Sequence, residues 1–386
     1  MIEPLSDALV ELLETQHRID RLRGEAIRRV GAGLCDLAYA NPYDGPEPST
    51  VDAIGEALQT ERTLDLQYTP YGGATITRRL VAGKLRTDSG LDYHWRDVVM
   101  TPGAMAALNV VFRAVRPDRG TAEVLMITPC WLDYPLYLTN LGLRPTVARV
   151  DRESGRLDLS AVEAALSDRT RAVILSQPAN PTGVVYGREE LEALADLLGS
   201  RPVPPVLISD EAHRDVHPPD VEVCSPAEVY EQTCVVYSFG KSLFIQGQRI
   251  GYIAVSPRFE GREEVRDLFA DLCRTMGFCT PTALMQLAVR KLIEHRPDFS
   301  SLGARRHEFA TRLRELGYGV PPGEATFFLY PSLEGHDDLD FCERLARRGL
   351  LVLPAPLFHD AGGFRISLTG TSDMMDRALD VLEAEA

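Results

Sequence analysis

The chain has 386 residues, of which 45% are hydrophobic and 25% are charged, so it is long enough for two globular domains with a sizeable core. Its formal net charge of −15 offers no basic surface for nucleic acid or for an anionic membrane. Seven cysteines without a CxxC pair predict reduced thiols and a cytoplasmic location, and no apolar run approaches the ~20 residues of a membrane span.

The N-terminal part of the chain predicts one helix and a turn-rich link. Residues 5–30 carry apolar side chains at helical spacing among many charges, which indicates an amphipathic helix that packs on another domain or subunit. This start lacks the apolar core of a signal peptide. Residues 36–46 contain Asn41, Pro42 and Gly45, so they form a link rather than a regular element.

The next elements are a turn and a candidate anion-binding site. Tyr68 opens the segment YTPYGG, whose proline and glycines indicate a turn before a helix. The predicted strand Val98–Thr101 then leads through Gly103, Ala104 and Met105 into an apolar helix. A helix that begins directly after a strand and small residues offers free amides and a positive dipole end to a phosphate.

Strands and helices alternate through the middle of the chain. The strand Glu123–Thr128 ends close to Trp131, one of only two tryptophans. Between residues 144 and 207 the pattern continues as strand, helix, strand and helix. This βαβ rhythm predicts a mainly parallel sheet that is covered by helices.

Three strand ends in this region carry polar side chains. Asn180 follows the apolar run 171–176, and Asp210 ends the run 206–210. Lys241 follows a third run, which ends at Ser238. Lysine is rare in this chain, with three copies, and a lysine at the end of a buried strand becomes nucleophilic if its pKa falls.

These side chains fit one ligand. Ligands of α/β sheets bind at the carboxyl ends of the strands. Asn180 suits a phenolic oxygen, Asp210 suits a ring nitrogen and Lys241 suits an aldehyde, whereas Ser238 and Arg249 suit a phosphate. Pyridoxal 5'-phosphate carries all four groups, and the sequence therefore predicts this cofactor.

The C-terminal part predicts a smaller α+β domain with its own candidate binding residue. Arg365 stands alone among apolar residues in FRISL, and a buried guanidinium without an anion is unfavourable. We expect residues 45–276 to form a large cofactor-binding domain. Residues 1–44 and 277–386 are expected to form the small domain, with the first helix as an arm.

The motifs together resemble the class I/II aminotransferases, which are pyridoxal-phosphate enzymes of fold type I. The matching segments read NPTG at residues 180–183, SDE at 209–211, SFGK at 238–241 and GQRIG at 247–251. The resemblance extends from about residue 35 to the C-terminus. It implies an α/β fold with a three-layer large domain around a mainly parallel sheet, plus a smaller α+β domain.

The resemblance also implies cofactor roles. Lys241 would carry the cofactor as a Schiff base and move the proton at the substrate α-carbon, and Asp210 would keep the ring nitrogen protonated. Asn180 would donate to the phenolic oxygen, and Trp131 would stack on the ring. The phosphate would be held by Ser238, Arg249, Gly103, Ala104 and Met105.

Substrate and partner contacts follow from the same resemblance. Arg365 would bind the substrate α-carboxylate, with Asn180 and Trp131 beside it. Ala40 stands near a position where the family usually has a glycine that lines the substrate site. Tyr68, or failing it Tyr71, would reach the cofactor phosphate of the neighbouring chain in a homodimer.

The predicted reaction is exchange of an amino group between an α-amino acid and a 2-oxo acid. Three positions depart from the family pattern: His213 replaces a tyrosine, Gly240 replaces a frequent serine and Ala355 replaces a common glycine. His213 would replace the hydrogen bond of the tyrosine or move a proton beyond the α-carbon. The alternative function is therefore elimination or replacement, cyclisation, or carbon–carbon bond formation on an amino acid.

Two other classes of function are less well supported. His213 and His217 have the spacing of helical metal ligands, but prolines follow directly and no third ligand is evident, so no metal is expected. A cofactor-binding regulator would need a further domain for DNA, and none is visible. Gly31 and Gly33 do not form a nucleotide loop, because no strand precedes them and the GxGxxG pattern is incomplete.

Overall fold

The structure is a computed structural model that describes residues 4–62, 64–117, 120–278, 280–332 and 335–385. Its strands are β1 Cys35–Asp36, β2 Val98–Thr101, β3 Glu123–Thr128, β4 Arg144–Arg149, β5 Thr170–Ser176, β6 Val206–Asp210, β7 Thr233–Ser238, β8 Gly251–Val255, β9 Phe328–Leu329, β10 Leu350–Leu351, β11 Leu353–Pro354 and β12 Phe364–Ser367. Its helices are α1 Asp7–Val30, α2 Pro48–Leu58, α3 Thr75–Ser89, α4 Ala104–Val115, α5 Tyr134–Asn140, α6 Leu159–Ala165, α7 Arg188–Gly199, α8 Phe239–Ser242, α9 Arg262–Met276, α10 Ala283–Leu292, α11 Ser300–Glu315, α12 Asp338–Arg347 and α13 Ser372–Glu383.

A seven-stranded sheet forms the centre of the large domain. Its strands lie in the order β2-β8-β7-β6-β5-β3-β4, and the neighbouring pairs are parallel except for the two that include β8. The strands β5, β6 and β7 therefore end at the same edge. Because β8 runs the opposite way, its first residue, Gly251, lies at that edge between Thr101 and Ser238.

Helices cover both faces of this sheet, because alternate side chains along each buried strand point to opposite faces. On one face α4, α5 and α9 pack on residues such as Val236 and Ile253. On the other face α6 and α7 pack on Val173 and Leu207, and α2, α3 and α10 pack on Val235. The result is the predicted three-layer α/β domain.

The small domain packs α11, α12 and α13 around short strands. β11, β12 and β9 form an antiparallel sheet, and β1 pairs in parallel with β10. The core between these elements is built from Phe341, Leu345, Phe364 and Leu382, among others. The predicted combination of a mainly parallel large domain with a smaller α+β domain is thereby confirmed.

The predicted limits of the two domains, 45–276 and 1–44 with 277–386, stay predictions. Helix α10 lies beyond the limit at residue 276, yet Met285 and Val289 share a core cluster with Val235 of the central sheet. We therefore propose that the large domain continues through α10.

The N-terminal helix is confirmed as α1, and it joins the two domains. Its buried residue Ile19 packs in one cluster with Leu353 and Phe358 of the small domain and with Leu132 of the large domain. Among the described residues, no helix combines the length and the apolar character that crossing a membrane requires.

Candidate active site

A cavity of about 480 Å³ opens at the carboxyl edge of the central sheet and extends to the small domain. Its volume is within the usual range for sites that hold a small molecule. Two predicted site residues, Gly103 and Tyr68, are not among those that line it. The other predicted site residues all line this cavity: Ala40, Ala104, Met105, Trp131, Asn180, Asp210, His213, Ser238, Lys241, Arg249 and Arg365.

Lys241 is presented by the single-turn helix α8, which begins directly after β7. Its Nζ makes no hydrogen bond to any residue that the structure describes. Burial, together with the positive charges of Arg365 and Arg249, lowers the pKa of Lys241 to about 8. A large fraction of the amine is therefore uncharged and nucleophilic at mildly alkaline pH.

Asp210 ends β6 and is held by two donors. The hydroxyl of Tyr134 donates to its Oδ2 at 2.5 Å, and the amide of Ala212 donates to its Oδ1 at 3.1 Å. Burial raises the pKa of Asp210, whereas both hydrogen bonds and the charge of Lys241 oppose that rise. The carboxylate is therefore oriented and would be stabilised further by a cationic group in the cavity.

Tyr134 is a site residue that the sequence alone does not predict. In the sequence this tyrosine lies within the segment YPLYL, which is typical of a core helix. Its role depends on the placement of α5 over the end of β6, and a single sequence carries no signal for that placement.

Arg365 lies on β12 between two aromatic rings. Its guanidinium carbon is 3.9 Å from the ring centre of Phe328 and 4.7 Å from that of Phe358. Nη1 donates to Oδ1 of Asn180 at 3.2 Å, and Nη2 donates to the carbonyl of Ala38 at 2.8 Å. Nε is buried without a partner, and burial lowers the pKa of Arg365 to about 9.

No carboxylate of the described residues pairs with this guanidinium. Arg365 therefore retains donor capacity that a substrate carboxylate can use, since planar guanidinium groups bind carboxylates through two parallel hydrogen bonds. Asn180 accepts from Arg365 through Oδ1, and its amide nitrogen remains available to donate.

The turn between β2 and α4 contributes a second part of the cavity wall, at Ala104 and Met105. Gly103 has φ of +80°, and a Cβ atom there would lie 2.4 Å from Nη2 of Arg249. Arg249 donates through Nη1 to the carbonyl of Gln246 at 2.7 Å, which fixes its direction. The first amides of α4, beginning at Ala104, have no acceptor within the helix, so this part of the cavity suits an anion.

His213 lies in a turn after β6 and not in a helix. Its Nε2 is buried without a partner, and its ring contacts Phe327 and Phe328 edge-on at centroid distances of 6.0 and 5.7 Å. Burial, with the charges of Lys241 and Arg365, lowers the pKa of His213 well below its usual value. The imidazole is therefore neutral near pH 7.

The helical metal-ligand arrangement considered for His213 and His217 does not form. His217 contacts the carbonyl of Pro218 through Nδ1 at 2.7 Å within the same irregular segment. Over the described ranges there is no group of three or more histidine, cysteine, aspartate or glutamate side chains that could hold a metal ion.

Of the remaining predicted residues, Trp131 and Ala40 lie in the cavity wall, whereas Tyr68 lies at the surface. Trp131 lines the cavity and makes edge-on contacts with Tyr134 and Tyr137 at centroid distances of 5.4 and 5.7 Å. Ala40 is buried in the cavity wall. Tyr68 is fully exposed, so within its own chain it does not reach the cavity.

The chain belongs to the family described as aminotransferase class I and II, because residues 34–382 match that family model. The "Probable aspartate/prephenate aminotransferase" of Aquifex aeolicus is 29% identical over 83% of this chain and 84% of its own length. The aspartate aminotransferase of Thermotoga maritima is 28% identical over 94% of this chain and 93% of its own length.

Solved structures agree with this assignment. An aminotransferase from Eubacterium rectale superposes with a TM-score of 0.92 at 25% identity, over 99% of this chain and 98% of that chain. A double mutant of Thermus thermophilus aspartate aminotransferase gives 0.88 at 25% identity, over the full length of both chains. The protein is thus an aminotransferase of a family that uses pyridoxal phosphate, and the comparisons do not favour elimination, cyclisation or carbon–carbon bond formation.

Proposed function

We propose that the cavity binds pyridoxal 5'-phosphate and that the protein exchanges an amino group between an α-amino acid and a 2-oxo acid. The observation that carries this proposal is the charge of the cavity. Lys241, Arg249 and Arg365 all line it, and none of them forms an ion pair with a carboxylate in the described part of the chain. A phosphate and an α-carboxylate would supply the missing anions.

The residues present fit the chemical groups of the cofactor. Arg249, Ser238 and the first amides of α4 suit its phosphate, with Gly103 giving the room that Arg249 needs. Asp210 suits the ring nitrogen because Tyr134 and Ala212 already orient its oxygens. When bound, pyridoxal phosphate supplies a conjugated ring that accepts the electron pair released at the substrate α-carbon.

The side chains of this protein then perform the remaining tasks. Arg365 binds the α-carboxylate and so fixes the position of the α-carbon. Lys241, whose amine is readily deprotonated, takes the proton from the α-carbon of the amino acid. In the second half of the exchange, it returns a proton to the α-carbon that derives from the 2-oxo acid. His213 and Asn180 donate hydrogen bonds to polar atoms of the bound cofactor or substrate, and the ring of His213 is neutral when it does so.

The assembly that we propose is a homodimer with shared active sites. The segment 64–71 exposes Leu64, Leu66, Tyr68 and Tyr71, an unusual concentration of apolar surface that an interface would bury. Gly72 accepts a hydrogen bond from the amide of Met100 at 3.0 Å, so this segment ends beside the strand that leads to Gly103. The hydroxyl of the partner's Tyr68 would donate to the cofactor phosphate.

A cytoplasmic setting completes the proposal. Cys35, Cys130, Cys224, Cys234 and Cys342 are buried and form no disulfide, which is typical of proteins in a reducing compartment. Such thiols pack as small apolar groups, and burial raises the pKa of Cys130 in particular, so it is not a nucleophile.

Borohydride reduction tests the central assignment. The purified protein should be yellow, and reduction should fix one cofactor per chain covalently to the peptide that contains Lys241. The Lys241→Ala variant should lose turnover and covalent labelling while it still binds the cofactor. The control is Lys291→Ala, which removes an exposed lysine outside the cavity and should change neither property. Undiminished turnover by Lys241→Ala would show that the assignment is wrong.

A further inference from the structure

Asp133 is the charged residue of the cavity that the proposed function leaves without a role. Of the described residues, five with charged side chains line the cavity, and four of them, Asp210, Lys241, Arg249 and Arg365, are assigned to the cofactor or the α-carboxylate. The carboxylate of Asp133 makes no hydrogen bond or ion pair with any residue that the structure describes. Burial raises its pKa, so it lies in a partly desolvated position that favours a hydrogen-bonding partner.

A second unpaired acceptor belongs to the same cavity. Gln16, on α1, donates through Nε2 to the hydroxyl of Tyr39 at 2.8 Å and to Oδ1 of Asp20 at 3.2 Å. This orientation leaves its Oε1 buried without a partner. Gln16 lines the cavity together with Tyr39, so this acceptor belongs to the same cavity as Asp133.

Packing brings Gln16 and Asp133 to one side of the cavity. Helix α1 contacts α5, which begins directly after Asp133. Leu132, the neighbour of Asp133, packs in the same cluster as Ile19 of α1. Both acceptors therefore belong to the wall that α1 and the start of α5 build together.

The cavity-lining side chains to which no role has been assigned are largely apolar. Met105 and Leu108 come from successive turns of α4, and Leu132 precedes α5. Such side chains accept a methylene stem but offer no charge. Among the described residues of the same chain, no further cation lines the cavity to bind a second carboxylate, because Lys241, Arg249 and Arg365 are already used.

We propose that the amino acid substrate carries a positively charged, hydrogen-bond-donating group at the end of an apolar stem, and that Asp133 and Gln16 bind this group. An amine or a guanidinium matches two acceptors, one of them charged, through charge-assisted hydrogen bonds. A side-chain carboxylate would instead meet Asp133 with the same sign of charge. The relatives named aspartate aminotransferases would then differ from this protein in the substrate side chain that they select.

This inference rests on the proposed function, and one experiment separates the two. Holoprotein of the Lys241→Ala variant is titrated with L-lysine, L-arginine, L-norleucine and L-glutamate, and binding is followed by cofactor absorption. Norleucine has the stem of lysine without the amine. We expect lysine or arginine to bind roughly 10- to 100-fold more tightly than norleucine, as one charged hydrogen bond allows, and glutamate to bind least.

Variants then assign the preference to Asp133. Asp133→Asn, which keeps the shape, should remove most of the advantage of the cationic amino acid and leave norleucine binding unchanged. The control Asp196→Asn, on the exposed face of α7, should leave the ranking as it is. The same amino acids can also be ranked by kcat/KM with the wild-type enzyme, which gives a second measurement that needs no variant.

The results that would contradict this inference differ from those that would contradict the proposed function. If glutamate or aspartate is the preferred substrate, or if Asp133→Asn weakens all amino acids equally, this inference is wrong while the proposed function stands. If no amino acid alters cofactor absorption and the wild-type protein turns none over, the proposed function itself fails.

Discussion

At the scale of single residues, Arg365 is the group whose environment most directly predicts a measurable effect. It is buried between Phe328 and Phe358 and hydrogen-bonds only neutral oxygens among the described residues. Loss of a buried charged contact costs about 2–5 kcal/mol. Arg365→Leu should therefore lower kcat/KM by roughly 30-fold to several thousand-fold while cofactor absorption stays normal.

The control for this variant is Arg305→Leu. Arg305 also donates to backbone carbonyls of the small domain, those of Leu368 and Gly370, but it lies outside the cavity lining. The Arg305→Leu variant should lower the free energy of unfolding but change kcat/KM far less than Arg365→Leu does. Equal wild-type activity on an amino acid and on its decarboxylated amine would contradict the role of Arg365.

The same variant has a consequence for Lys241 in the cofactor-free protein. The positive charge of Arg365 contributes to lowering the pKa of Lys241 to about 8. Removal of that charge favours the protonated amine, so the pKa of Lys241 should rise. Acylation of Lys241 at different pH values, read by peptide mass spectrometry, should show a higher midpoint in Arg365→Leu than in the wild-type protein.

His213 shows how the structure narrows a choice that the sequence leaves open. Histidine in the place of the family tyrosine suggests either a substitute hydrogen bond or a further proton transfer. Burial and two nearby cations lower the pKa of His213 well below its usual value, which disfavours the imidazolium as an acid. The neutral ring can still donate one hydrogen bond, and this agrees with a simple aminotransferase.

At the scale of secondary-structure elements, the turn before α4 predicts a selective loss of cofactor affinity. Gly103→Ala would place a Cβ atom 2.4 Å from Nη2 of Arg249 and so displace the guanidinium. A hydrogen bond to a charged group is worth about 1.5–3 kcal/mol, so the cofactor affinity should fall roughly tenfold or more. Equilibrium dialysis of the cofactor with each variant would measure this change.

Gly90→Ala is the matched control for this turn. Gly90 also has a positive φ, +70°, but a Cβ atom there has no neighbour within 4 Å. Both variants should lower the thermal unfolding temperature, because alanine is strained at positive φ. Only Gly103→Ala should weaken cofactor binding, and an equal loss in both would show that backbone strain alone is responsible.

The elements also explain which site residues could be predicted from the sequence. Asn180, Asp210 and Lys241 follow strands whose order in the chain is also their order in the sheet, β5-β6-β7, so their convergence follows from topology. Arg365 could be predicted because a lone charge in an apolar strand needs a partner. Periodicity and strand ends were therefore sufficient for this part of the site.

Other site residues depend on packing that a single sequence does not encode in its periodicity. Tyr134 and Asp133 depend on how α5 lies over the sheet, and Gln16 depends on how α1 joins the domains. The surroundings of Gly240 likewise depend on packing that the sequence does not reveal. A Cβ atom there would lie 3.1 Å from Cα of Gln246, a tight contact for any side chain at this position.

At the scale of the whole molecule, the site is shared between domains. The large domain supplies Lys241 and Asp210, whereas the small domain supplies Arg365 and α1 supplies Gln16. The relative position of the domains therefore fixes the distance between the α-carboxylate and the nucleophile. The proposed dimer adds a third contribution, because the fully exposed Tyr68 lies outside its own cavity.

Hybrid dimers test that third contribution. A chain with Tyr68→Phe is combined with a chain with Lys241→Ala, and the hybrid is purified through two different affinity tags. One of its two sites pairs an intact Lys241 with the partner's Tyr68, and the other site lacks both groups. The hybrid should therefore have about half of the wild-type activity per dimer. The Tyr68→Phe homodimer should bind the cofactor roughly tenfold or more weakly, as expected for loss of a hydrogen bond to a charged phosphate.

The matched control replaces Tyr71 instead of Tyr68. The ring of Tyr71 lies 5.6 Å from the guanidinium carbon of Arg274, and Tyr71 is less than half as exposed as Tyr68, so its hydroxyl is a weaker candidate for the partner's phosphate. Tyr71→Phe homodimers should bind the cofactor as the wild-type protein does. If Tyr71→Phe weakens binding and Tyr68→Phe does not, the donor is Tyr71. A fully active monomer at nanomolar concentration would rule out a shared site altogether, because neither tyrosine could then act across an interface.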